Sequence, residues 1–80
     1  MEDFTVITLV KPLAGLTEVT LTEPTVDEIS KLSDESQKFG AVRAMKNLIA
    51  KMTKSEPSVI GQMGARDFKA CQKFLDSFFD

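Results

Sequence analysis

The stretch VTLTEPTVDEI at residues 19–29 sets the order of secondary structure in this 80-residue chain. Before the proline, apolar and polar residues alternate as on a half-buried strand; after it, apolar residues recur every three or four positions as on a helix. Thr25 and Glu28 have capping-box spacing, in which each side chain can satisfy a backbone N–H at the helix start. Pro24 disfavours helical geometry at Glu23. We therefore predict a strand followed by a capped helix, so that strands precede helices.

Two β-prone runs lie upstream of the proline. FTVITLV at residues 4–10 is β-branched and aromatic, and in TEVTLT at residues 17–22 Val19 and Leu21 point to one side. These runs predict an antiparallel hairpin over about residues 4–22, with a loop longer than a two-residue turn between Pro12 and Gly15. Because an isolated hairpin is marginal in water, its apolar face should pack on helices or its edge should pair with another chain.

Helical patterns fill the rest of the chain. The first helix has only Ile29 and Leu32 as strong apolar anchors, whereas the second has the best-defined apolar face. That face comprises Ala41, Met45, Leu48, Ile49 and Met52. The predicted helices span about residues 26–37, 41–54, 57–62 and 65–78. The sequence thus predicts an α+β fold in one domain over residues 1–80, with an N-terminal antiparallel β-hairpin followed by three to four helices.

The last helix is rich in phenylalanine. Its apolar arc contains Phe68, Cys71, Leu75, Phe78 and Phe79, with Phe74 at the margin beside Asp67. We expect Cys71 to be a small buried hydrophobe. Neighbouring helical side chains point about 100° apart. At least one of Phe74, Phe78 and Phe79 should therefore stay partly exposed, where it could anchor a partner.

The composition argues against catalysis. The chain has no His, Trp or Tyr and a single Cys, so it lacks the commonest acid/base group near neutral pH and cannot build a thiolate cage. Its paired acidic residues near the first helix lack the spacing of a calcium loop. We therefore expect no catalytic, cofactor-binding or metal-binding residues, and no enzyme activity.

Charge is segregated along the chain. Residues 18–35 contain six acidic side chains and one basic one, a net charge of −5, whereas residues 38–54 contain five basic and no acidic side chains, a net charge of +5. Such patches can pair within the fold or between subunits. The basic helix 41–54, with Arg43 and Lys46, could contact a partner. It also suggests an alternative function, a small nucleic-acid-associated regulatory protein, although the acidic neighbour and a pI near 5.0 weigh against nucleic acid.

Seven short sequence features occur in a recognisable order and spacing between about residue 5 and residue 79. They are ITL at 7–9, KP at 11–12, EVTLTEPT at 18–25, KMT at 51–53, Pro57, ARDF at 65–68 and FL at 74–75. Together they resemble the small tail assembly chaperones of Mu-like and P2-like contractile-tailed bacteriophages and prophages.

The resemblance implies a function without chemistry. Such chaperones are expected to bind the long, aggregation-prone tape measure protein, keep it soluble and help recruit tail-tube subunits. It also implies a location in the host bacterial cytoplasm. This agrees with an acidic start at residues 1–3 and with the lack of any apolar run near the roughly 20 residues that span a bilayer. A homo-oligomer formed through the hairpin edge is a further expectation. On physical grounds, the candidate partner-binding residues are Phe74, Phe78, Phe79, Arg43 and Lys46.

Overall fold

A β-hairpin precedes four helices in the computed structural model, which describes residues 4–13 and 15–78. This arrangement confirms the predicted α+β fold. The elements, in chain order, are β1 (Phe4–Leu13), β2 (Leu16–Thr22), α1 (Val26–Phe39), α2 (Ala41–Thr53), α3 (Pro57–Ile60) and α4 (Ala65–Asp76).

The hairpin contains a wide irregularity in β1. Its antiparallel register runs from Phe4 opposite Thr22 to Thr8 opposite Glu18, and resumes only where Leu13 pairs with Leu16. Residues 9–12 of β1 therefore face a single residue of β2, which is a large β-bulge. The prediction of a long loop is wrong, because the extra residues lie in the bulge and not in the turn. Gly15 has a φ of 85°, a conformation that glycine adopts without steric cost.

The strand-to-helix junction forms the predicted capping box. The backbone N–H of Glu28 donates to Thr25 Oγ1 over 3.1 Å, and the backbone N–H of Thr25 donates to Glu28 Oε1 over 2.9 Å. α1 continues two residues beyond the predicted end, to Phe39. Gly40, with a φ of 97°, then separates α1 from α2.

The core lies between the inner face of the hairpin and the helices α2 and α4. α4 packs on β1, while α2 contacts β2, α1 and α3. The largest fully buried side chains are Leu21, Ile49, Ile60, Leu75 and Cys71.

The buried surface of α2 is wider than the apolar face that the sequence predicts. Ala41, which we expected on that face, is exposed at the start of the helix, whereas Ala44 and Ala50 are buried. The difference arises because α2 has three neighbouring elements, so that a wider arc of the helix is covered than one apolar face.

The last two helices are shorter than predicted. α3 ends at Ile60 and α4 at Asp76, each two residues early. Beyond Asp76 the Ser77 hydroxyl donates to the carbonyl oxygen of Phe74 over 2.6 Å, a local bond of the kind that serine offers in competition with regular helix.

Candidate partner-binding surfaces

Phe74 and Phe78 form an aromatic pair at the end of α4. Their ring centroids are 5.2 Å apart and the ring planes meet at 84°, an edge-to-face arrangement that aromatic pairs favour. Both side chains are half-buried, while Leu75 on the same helix is fully buried. We call the pair Phe74 and Phe78 the terminal surface. Phe79, predicted to belong to it, lies outside the described residues.

An open groove of about 360 Å³ lies between α2, α3 and α4. Its lining includes Val42, Lys46, Ile60, Met63, Ala65 and Phe68. The aliphatic stem of Lys46 lies against Gly61, where an added β-carbon would be 3.7 Å from Lys46 Cδ. We call this concavity the α2–α4 groove. Its lining contains both Lys46 and Phe68, and neither residue of the terminal surface.

Two exposed apolar residues flank Gly40 at the junction of α1 and α2. Phe39 is 51% exposed and Val42 is 68% exposed. The guanidinium carbon of Arg43 lies 4.7 Å from the centroid of the Phe39 ring, within the range of a cation–π interaction. Sequence reasoning missed Phe39 and Val42, because burial at helix ends depends on the direction in which the chain turns.

The acidic and basic segments meet within the fold. Lys51 Nζ lies 3.9 Å from Glu28 Oε2, and Asn47 Nδ2 donates to Glu35 Oε2 over 3.4 Å. α1 thus brings two carboxylates against Asn47 and Lys51 of α2. Neither contact involves Arg43 or Lys46, the residues of α2 that we predict to bind a partner.

Asp67 joins α4 to the bulge of β1. Its side chain is 3% exposed. The backbone N–H groups of Val10 and Lys11 donate to Asp67 Oδ1 over 2.8 Å and to Asp67 Oδ2 over 3.1 Å. The carboxylate therefore satisfies two amides that the bulge removes from the hairpin ladder, which explains why a buried charge is tolerated here. Sequence reasoning assigned Asp67 no role, since its partners are 56 and 57 residues away.

Cys71 lies one turn after Asp67 and is fully buried, as predicted. Burial, together with the nearby charge of Asp67, raises the pKa of the Cys71 thiol to about 11. The thiol is therefore protonated at neutral pH and is a poor nucleophile.

Neither a metal site nor a membrane-spanning helix is found in the described part of the chain. No group of three or more His, Cys, Asp or Glu side chains there is arranged to hold a metal ion. No helix within residues 4–13 and 15–78 combines the length and hydrophobicity that a membrane crossing requires.

Comparison with known proteins identifies the family. The model for phage tail assembly chaperone proteins, E, or 41 or 14, matches residues 6–80. No curated protein and no solved structure gives a match. The family match covers nearly the whole chain, so it confirms the resemblance seen in the short motifs. The chain belongs to the family of phage tail assembly chaperones, which are non-catalytic proteins.

Proposed function

We propose that this chaperone binds the tape measure protein during tail assembly and helps to recruit tail-tube subunits. Family membership supplies the general role. The observation that best supports a specific binding site is the terminal surface, where two aromatic rings pack on each other and remain partly exposed.

The terminal surface has properties of a binding anchor. Aromatic side chains dominate the energetics of many interfaces, and they contribute most when a rigid base holds them. Leu75, which lies between Phe74 and Phe78 in the chain, is fully buried and anchors this segment in the core. An amphipathic helix of the tape measure protein could place its apolar stripe across the two rings. Phe79 is a candidate member of the same site.

Co-expression with the tape measure protein of the same phage or prophage tests this proposal. The double variant Phe74→Ser/Phe78→Ser should lose co-purification of the tape measure protein while the domain still melts cooperatively. Val26→Ser is the control, since Val26 is an exposed apolar residue on α1 that belongs to none of the candidate surfaces. Co-purification that is unchanged in the double variant would contradict the terminal surface as the binding site.

Recruitment of tail-tube subunits requires a separate measurement. We expect the purified complex with the tape measure protein to bind the tube subunit in size-exclusion chromatography, and the tape measure protein alone to aggregate. A complex that excludes the tube subunit would restrict the role to holding the tape measure protein soluble.

Self-association through the hairpin is a second proposed interaction. The described sheet has two strands, so β1 and β2 each pair on one edge only. The outward side of β1 carries the exposed residues Phe4 and Val6. A second subunit could add a strand at either edge. Light scattering should detect oligomers that Val6→Lys weakens, and a monomer at millimolar concentration would exclude this interaction.

The alternative function, a nucleic-acid-associated regulator, lacks such support. The contact of Lys51 with Glu28 places an acidic side chain against the basic helix. Family membership also points to protein partners.

A further inference from the structure

We propose that the α2–α4 groove is a second docking surface, and that it takes an amphipathic helix whose apolar stripe is flanked by acidic residues. The proposal rests on the proposed function in one respect, since the helix would belong to a client protein of the chaperone. It differs in the surface used and in the charge of the client segment.

The groove is open and largely apolar. Ile60, which is almost fully buried, belongs to both the groove lining and the core, so the floor is part of the folded interior. Met63 and Phe68 are half-buried, and Val42 is largely exposed on the rim. Covering such side chains would remove apolar surface from water, which is the main favourable contribution to helix docking in a groove.

The charge of the groove favours an acidic partner. Lys46 is the single charged residue in its described lining. Arg43 follows Val42 directly on α2 and stands over Phe39. Asp67 lies on the helix that forms one wall, but its carboxylate accepts hydrogen bonds from Val10 and Lys11 of β1. That carboxylate is therefore already engaged on the hairpin side of α4.

The position of Lys46 suits recognition at the rim. Its aliphatic stem packs against Gly61, so the ammonium group can reach water while the stem covers apolar surface. A carboxylate flanking the apolar stripe of a docked helix could pair with this ammonium. Charge pairs at the rim of an interface mainly select the partner and its orientation and add little affinity. We therefore expect a preference between helices of opposite charge at equal hydrophobicity.

Two synthetic peptides provide a direct test. Each is about 18 residues long, roughly 27 Å of helix, and carries the same leucine stripe, flanked by Glu in one peptide and by Lys in the other. Fluorescence anisotropy should show the Glu peptide binding about fivefold more tightly at low salt, with a smaller gap at high salt. Amide shift changes in NMR spectra should map to Val42, Met63 and Phe68. Equal binding of the two peptides, or shift changes confined to Phe74 and Phe78, would overturn the proposal.

Variants with matched controls separate the groove from other surfaces. Val42→Glu should abolish binding of the Glu peptide, whereas Val26→Glu, at a valine that is 81% exposed on α1, should not. Lys46→Glu should reverse the preference between the peptides, and Lys73→Glu makes the same charge change on α4 away from the groove lining. If Val26→Glu and Lys73→Glu act as strongly as the groove variants, the proposal fails, because net charge alone would then govern binding.

The outcome is independent of the terminal surface. Phe74→Ser/Phe78→Ser should leave binding of the Glu peptide unchanged, even if it abolishes capture of the tape measure protein. Loss of peptide binding in that double variant would remove the groove as a separate site. Concentration-dependent dimerisation that blocks the groove and is lost in Val42→Glu would assign the surface to a second copy of the chain and overturn the client assignment.

Discussion

The helices α1 and α4 differ in how they are held, although they have similar lengths of 14 and 12 residues. α1 has no buried residue and touches the core through the half-buried Leu32. α4 buries Asp67, Cys71 and Leu75. Two amphipathic helices of one small domain therefore depend on tertiary contacts to very different extents.

Local capping shows the opposite trend. α1 starts with a complete capping box at Thr25 and Glu28, whereas α4 starts after Gly64 with no side-chain cap. The helix with the weaker tertiary anchoring thus has the stronger local signal. We infer that local capping contributes more to the stability of α1, which otherwise packs on the adjacent helix α2, than to that of α4, which packs on the distant hairpin.

Leucine truncation should give the largest contrast between the two helices. Leu75→Ala leaves a cavity in the core and should lower the free energy of unfolding by about 3 kcal/mol. Leu32→Ala removes the same atoms from a half-buried site on α1 and should cost about 1 kcal/mol. Urea denaturation of both variants measures the difference. Equal losses would show that α1 is anchored as firmly as α4.

Removal of the Asp67 carboxylate should have the next largest effect. Asp67→Ala deletes two charge-assisted hydrogen bonds to the bulge and should destabilise the domain by about 2 kcal/mol. Asp67→Asn retains one acceptor oxygen and should cost less. Hydrogen exchange should show faster exchange of the Val10 and Lys11 amides in both variants, with the Ile49 amide in α2 still protected. Unchanged exchange at Val10 and Lys11 would contradict the proposed link between α4 and β1.

Loss of the α1 cap should produce a smaller change. Thr25→Ala removes the acceptor for the Glu28 N–H and should cost about 1 kcal/mol. Glu28→Gln keeps an acceptor for the Thr25 N–H but removes the charge facing Lys51, so it should cost well under 1 kcal/mol. Thermal melts report both changes. A larger effect of Glu28→Gln would show that the ion pair, and not the cap, holds the helix start.

Titration of Cys71 should leave the free energy of unfolding unchanged near neutral pH, where its effect is the smallest of the four, and should lower it only at high pH. The pKa of this thiol is raised in the folded state from 9.0 to about 11, so the neutral thiol is favoured by folding. The resulting stabilisation is complete below pH 9 and is lost as the pH rises through about 11. The difference in unfolding free energy between the parent chain and Cys71→Ala, followed from pH 8 to 11, isolates this contribution from lysine titration. A difference that stays constant over this range would contradict burial of the thiol.

Features formed by residues close together in the chain could be predicted from the sequence, and features formed by distant residues could not. The capping box was predicted correctly because Thr25 and Glu28 are three residues apart. The hairpin and its inward residues Val19 and Leu21 followed from alternation. The bulge was missed, because the amides that it frees are satisfied by Asp67, which no local pattern connects to β1.

The candidate surfaces show the same division. The phenylalanine content near the end of the chain identified Phe74 and Phe78 as candidates. The α2–α4 groove was not predicted, because its residues come from three helices and meet only after packing. The sequence pointed to Lys46 as a contact residue through its charge alone, and its apolar surroundings could not be predicted.

The amino-acid sequence by itself determined the order of strands and helices, the capped start of α1, the absence of histidine and the family. These properties depend on composition, on short-range hydrogen bonds and on periodicity along one element. Only the tertiary structure decided how α4 packs against the hairpin, how much of α2 is buried and where apolar surface remains exposed to solvent. Those features depend on residues far apart in the chain, whose contacts arise when burial of apolar surface brings separate elements together.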